Sequence, residues 1–152
     1  MTRLLKYILM RAYLNIEGLF PLSNLEISQR IELAQRAADL IGETYSEHLS
    51  QVVLFGSLAR EKGRRLGTIL GLSGTMKWSG SDIDFCCAVS PDMPCREREN
   101  LGESIGQTLA EANFEVGNEG RQIHNFVSSS DSPFFNKHVR PGGKVLWPKG
   151  EE

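Results

Sequence analysis

Two short polar motifs, each beside an apolar run, carry the residue types that could do chemistry. The first is Gly56-Ser57, which follows the apolar run 52–55. That run predicts a short buried strand, and glycine tolerates the unusual backbone angles of a turn at its end. A helix beginning at Ser57 would aim free N–H groups and the Ser57 hydroxyl at a bound phosphate. Arg60 lies one helical turn further on, either near the phosphates or as a solvated helix arginine.

The second motif is Ser81-Asp82-Ile83-Asp84, at the start of an apolar run that continues to residue 89. On a strand, Asp82 and Asp84 share one face while Ile83 and Phe85 point the other way into the core. Neighbouring carboxylates repel unless they share a cation, and Mg²⁺ or Mn²⁺ suits such oxygen ligands. A phosphate corner with a metal-holding carboxylate pair indicates phosphoryl or nucleotidyl transfer. The alternative is a solvated Asp-x-Asp turn beside a Gly-Ser loop.

In this order, the two motifs resemble the signature of the DNA-polymerase-β-type nucleotidyltransferases, and above all the small, minimal domains of that superfamily. The resemblance extends over residues 27–147. It implies an α/β (α+β) nucleotidyltransferase fold, with a mixed β-sheet flanked by helices. It also implies two metal ions, Mg²⁺ or Mn²⁺, bridged by Asp82 and Asp84, and an NTP as substrate. The expected nucleotide-binding residues are Gly56, Ser57, Arg60 and Ser81.

The third carboxylate of the family is expected on the strand that follows a long helix, and His124 stands at the matching position. An imidazole can bind a metal, favouring Mn²⁺ or Zn²⁺ over Mg²⁺, or can act as the base itself. It brings no negative charge, and Glu115 is the nearest substitute. His124 therefore joins Asp82 and Asp84 as a candidate catalytic residue, with a hydrogen-bonded structural histidine as the alternative.

Two functions follow from the resemblance. In the first, the protein transfers a nucleoside monophosphate from an NTP to an acceptor hydroxyl and releases pyrophosphate. In the second, it is a catalytically weak module of the same fold, such as an antitoxin-like partner of a helical toxin protein. The intact Gly-Ser and Asp-x-Asp motifs favour the enzyme, whereas His124 favours the binding module. The acceptor, whether small molecule, protein or RNA, and the base of the NTP are open.

The composition is that of a single cytoplasmic domain over residues 1–152, with a net charge of −2. No run of five Lys or Arg residues is present, so neither an extended nucleic-acid surface nor a membrane is an expected partner. Cys86, Cys87 and Cys95 lack the spacing of a zinc site. We expect all three to be reduced core residues, with Cys86 and Cys87 on opposite faces of a strand.

The remaining pattern predicts the elements around these motifs. Residues 1–22 form a helical extension whose apolar face, within 3–16, is neither a signal peptide nor a membrane anchor. This face predicts a homodimer or contact with a helical protein partner. The inserted glycine-rich loop 61–80 is either a lid over the phosphate corner or a small hairpin. Helices are expected at 23–48, 92–112 and 132–138, a hairpin or a strand with a lead-in at 114–127, and an edge strand at 144–147.

Overall fold

The computed structural model describes residues 2–5, 8, 24–60, 67–70, 76–79, 83–116 and 123–150. Within these residues, two long helices and six strands follow one another, with one π-helical turn before the last strand. They are α1 (Asn24–Thr44), β1 (Leu49–Phe55), β2 (Gly67–Leu70), β3 (Met76–Ser79), β4 (Ile83–Val89), α2 (Cys95–Glu111), β5 (Ile123–Ser129), the π-turn (Phe135–Val139) and β6 (Lys144–Trp147).

Four strands form the main sheet in the order β5-β4-β1-β6. Strand β1 is antiparallel to both of its neighbours, whereas β4 and β5 are parallel and are connected through α2. A parallel pair requires a crossover of this kind, because a short turn can join only antiparallel strands. The predicted mixed α/β sheet flanked by helices is confirmed.

The two helices cover one face of the sheet. Small residues of α1, including Ala34 and Ala38, are fully buried against apolar residues of β1 and β4. Helix α2 buries an apolar stripe on the same side of the sheet, formed by Leu101, Ile105 and Leu109. Helix α1 ends at Thr44, before the predicted His48, because the chain turns there into β1. Burial of apolar surface on this face is the main stabilising contribution to the sheet.

The π-turn covers part of the opposite face. Phe135 and Val139 pack there against Val53, Cys86 and Ala88. The helix predicted at 132–138 ends in this turn, and the Phe135 N–H donates to the Ser132 Oγ at 3.1 Å.

The cysteine prediction is correct for two residues and wrong for the third. Cys87 faces the helices and Cys86 faces the π-turn, as alternation along a strand requires. Cys95 is exposed, because it is the first residue of α2 and follows Pro94 outside the buried stripe of that helix.

The structure bears on two regions for which the sequence left alternatives open, residues 114–127 and the loop 61–80. Val116 and Ile123 form a parallel bridge, so residues 114–127 are not an antiparallel hairpin but a strand with a lead-in. Within 61–80, β2 and β3 pair in an antiparallel register, which is the strand pairing of the hairpin alternative.

The N-terminal extension is described only at residues 2–5 and 8, where Leu4, Leu5 and Ile8 are exposed. The contact predicted for its apolar face stays a prediction. Within the described ranges, no helix is both long and apolar enough to cross a membrane.

Candidate functional site

Strand register brings Asp84 and His124 together. They lie directly opposite each other on the parallel strands β4 and β5. Their neighbours Ile83 and Ile123 are buried among the helices, so alternation sends both polar side chains to the other face. The Nδ1 atom of His124 lies 3.3 Å from Oδ1 of Asp84, and the side chains are 24% and 26% exposed. The site is thus partly open to solvent.

Gly56 completes this group from the end of β1. Phe55, the last residue of that strand, pairs with Asp84, and Gly56 then turns away with a φ of +80°. A Cβ atom added at Gly56 would lie 2.8 Å from Oδ2 of Asp84. Both the backbone angle and the closeness of the carboxylate therefore require glycine here.

The segment after Gly56 is a hydrogen-bonded turn. The Arg60 N–H donates to the Ser57 carbonyl oxygen at 3.2 Å, and Leu58 and Ala59 are buried. This turn is consistent with the predicted start of a helix at Ser57, but residues 61–66 lie outside the described residues. Arg60 is exposed, and its Cγ lies 3.9 Å from a Cβ built on Gly142, which places its stem beside the turn before β6. Its predicted contact with phosphate stays a prediction.

Ser81 and Asp82 lie outside the described residues. The predicted position of Asp82 on the face of Asp84 stays a prediction. Glu115 is exposed beside the start of β5, where its carbonyl oxygen accepts a hydrogen bond from the Ile123 N–H at 2.8 Å. His124 is the residue whose side chain the structure brings into contact with Asp84.

An aromatic cluster beside the polar pair was not predicted from the sequence. The ring centroids of Phe55, Phe126 and Phe134 lie 5.7 to 5.9 Å apart. Phe126 is two residues after His124 on β5 and therefore on the same face. The signal was present in the alternation of 124 and 126, but joining them to Phe55 required the strand register.

The thiol nearest in sequence to Asp84 is chemically inert. Burial raises the pKa of the Cys86 thiol to about 12, and the same effect raises the pKa of Cys87. A thiol with such a pKa is neutral near pH 7, so Cys86 is a poor nucleophile there.

Asp84 and His124 together supply only some of the ligands that a divalent cation needs. A carboxylate oxygen beside an imidazole matches Mn²⁺ or Zn²⁺ better than Mg²⁺. Across the part of the chain that the structure describes, no group of three or more His, Cys, Asp or Glu residues could hold a metal ion. A cation at Asp84 would thus depend on Asp82, water or substrate phosphate for its other ligands.

Comparison of the chain with protein-family models, with curated proteins and with solved structures gives no match. The fold is therefore described by its architecture, a four-stranded mixed sheet flanked by helices. The nucleotidyltransferase interpretation depends on the motifs and on the geometry of the site.

Proposed function

We propose that the protein is a metal-dependent nucleotidyltransferase of the DNA-polymerase-β type, with its active site on the face of the sheet that carries Asp84. The observation that carries the proposal is the contact between Asp84 and His124, with the Gly56 backbone closing over the same carboxylate. The family motifs require these three positions to meet, although they are 28 and 40 residues apart along the chain.

The two oxygens of Asp84 have different surroundings. Oδ1 faces the His124 imidazole, and Oδ2 lies over Gly56, at the corner where the predicted phosphate-binding turn begins. We assign Oδ2 to the cation, together with Asp82, and the Gly56-Ser57 turn with Arg60 and Ser81 to the triphosphate. When bound, Mn²⁺ or Mg²⁺ would neutralise charge on the phosphates.

In the reaction, the acceptor oxygen forms a bond to the α-phosphorus and the bond from that phosphorus to the pyrophosphate oxygen breaks. The acceptor proton passes to Oδ1 of Asp84, the carboxylate oxygen that is not assigned to the cation. His124 is assigned a positioning role, because its Nδ1 faces Asp84 and its Nε2 is buried. A buried Nε2 lacks access to an acceptor hydroxyl, so the imidazole serves to orient the carboxylate.

The second candidate is a catalytically weak module of this fold that binds a helical protein. It is favoured by His124, which stands at the position of the family's third carboxylate and brings no negative charge. Under this alternative, restoring a carboxylate at residue 124 would not increase turnover, because other parts of the site would also have decayed.

The test uses α-labelled NTPs with Mn²⁺ or Mg²⁺ and three acceptor pools: small hydroxyl compounds, proteins and RNA. We expect label transfer and pyrophosphate release, reduced by about 100-fold or more in Asp84→Asn because the variant loses both charge and proton acceptor. Asp92→Asn is the matched control, since it removes an exposed carboxylate outside the site. We expect His124→Asp to raise turnover or to shift the metal preference from Mn²⁺ towards Mg²⁺.

If no acceptor is labelled, and Asp84→Asn binds Mn²⁺-ATP as tightly as the parent, the enzymatic assignment is wrong. Transfer that survives in both Asp84→Asn and the double variant with Asp82→Asn would place the chemistry elsewhere in the chain.

A further inference from the structure

Three phenylalanine rings form an open patch on the sheet face of Asp84 and His124. Phe55 contacts Phe126 and Phe134 in edge-to-face arrangements, with interplanar angles of 61° and 86°. Phe126 is 43% exposed and Phe134 is 37% exposed. The next residue, Phe135, is only 2% exposed and belongs to the core under the π-turn. The patch is therefore distinct from the core that lies beside it.

The patch adjoins the polar pair along β5. His124 and Phe126 are alternate residues of one strand, so their Cα atoms are separated by about 6.6 Å on the same face. A nucleotide whose phosphates lie at Asp84 and Gly56 places its base one ribose away. That distance is similar to the separation between His124 and Phe126.

Phe126 also borders open space on its other side. It lines a cavity of about 440 Å³ between β5 and α2, together with Arg98, Ser128 and Ser132. Cavities of a few hundred Å³ are typical of small-molecule sites. A planar ring that packs on Phe126 would thus have room beside the strand edge.

We infer that the Phe126 ring, held by Phe55 and Phe134, is the stacking surface for the nucleobase of the bound NTP. The inference rests on the proposed function and adds the part of the site that binds the base. Two neighbouring rings restrict the Phe126 side chain, so little conformational freedom is lost when a base stacks on it. Stacking reads no hydrogen-bonding edge, and the patch therefore accepts all four bases.

An aromatic ring of the acceptor is the other planar group that could occupy the patch. The nucleobase is favoured because the Gly56 corner assigned to the phosphates, the Asp84 carboxylate and Phe126 follow one another along the same face of the sheet. The experiment distinguishes the two, because binding of NTP alone involves no acceptor.

The experiment measures binding of two Mn²⁺ complexes by calorimetry. One contains inorganic tripolyphosphate, and the other an ATP analogue with a methylene bridge between the α- and β-phosphates. Phe126→Leu should lower the affinity for the ATP analogue about five- to tenfold, because the base loses its stacking partner. Its affinity for tripolyphosphate, which has no base, should be unchanged. Phe126→Trp should bind the analogue at least as tightly as the parent. Val145 is an exposed apolar residue on the opposite edge strand, and Val145→Ala should change neither affinity.

Failure of the inference and failure of the proposed function give different results. If Phe126→Leu binds the analogue like the parent while Asp84→Asn weakens both ligands, the stacking assignment is overturned and the metal–phosphate site stands. If Phe126→Leu weakens both ligands equally, Phe126 supports the site and does not stack. If the parent binds neither ligand, the proposed function falls and the inference with it. Loss of transfer to aromatic acceptors alone would assign the patch to the acceptor.

Discussion

Replacing Gly56 by alanine perturbs the candidate site at one atom. The new Cβ would lie 2.8 Å from Oδ2 of Asp84, closer than non-bonded atoms of this kind approach each other. The carboxylate must rotate or shift, and it then leaves the position between Gly56 and His124. The φ of +80° adds backbone strain for any residue with a side chain.

The backbone strain lowers stability, whereas the displaced Asp84 carboxylate lowers activity. A left-handed conformation costs an alanine about 1–2 kcal/mol, which for a chain of this size lowers Tm by roughly 2–8 °C. A displacement of about 1 Å in a catalytic group can cost on the order of 100-fold in rate. We therefore expect Gly56→Ala to fold, with a modest loss of stability, and to lose most nucleotide binding and transfer.

Gly142 offers the matched control. It also has a positive φ, +77°, but a Cβ there would lie 3.9 Å from Arg60 Cγ, an ordinary contact distance. Gly142→Ala should lower Tm by a similar amount and leave Mn²⁺-nucleotide affinity unchanged. Thermal melts and calorimetric titrations of both variants provide the comparison. Equal nucleotide affinity in Gly56→Ala and Gly142→Ala would refute the role given to the Asp84 carboxylate.

Two further predictions concern the core. A Cβ in Gly42→Ala would overlap the Trp147 ring, so we expect about 1–3 kcal/mol of destabilisation despite the better helix propensity of alanine. In a Trp147→Leu background the same change should be neutral or stabilising in denaturant unfolding, and an equal cost in both backgrounds would contradict this packing. At pH 8, alkylation followed by mass spectrometry should label only the exposed Cys95 until the protein unfolds. Because burial raises the pKa of Cys86 and Cys87 from 9.0 to about 12, their contribution to stability is complete below pH 9 and declines as the pH rises towards 12. Equal labelling rates at all three thiols would be inconsistent with the buried strand.

The elements of the fold could be predicted from local patterns because each has a strong periodic signal. The helical spacing of Leu101, Ile105 and Leu109 indicated α2, and the apolar run that continues to residue 89 indicated β4. Their pairing could not be predicted, because strand order depends on contacts between distant parts of the chain. The parallel register of β4 and β5 and the position of Val116 beside Ile123 are examples.

The candidate site, like the fold, could be predicted from the sequence only in part. Residue types and spacing selected Gly56, Asp84 and His124, and the structure brings these three together. The sequence could not choose between His124 and Glu115 as the residue beside Asp84, since that choice depends on the register between β4 and β5. Nor could it identify the ring cluster, in which Phe55, Phe126 and Phe134 come from three separate segments.

Anomalous diffraction from crystals grown with Mn²⁺ and the methylene-bridged ATP analogue tests the central claim most directly. The proposal predicts a manganese peak in direct contact with the Asp84 carboxylate, with the triphosphate between that ion and the Gly56-Ser57 turn. The same crystals of Asp84→Asn should lose the peak. A nucleotide bound with its metal on the helix side of the sheet, or no manganese at Asp84 while nucleotide is present, would contradict the assignment.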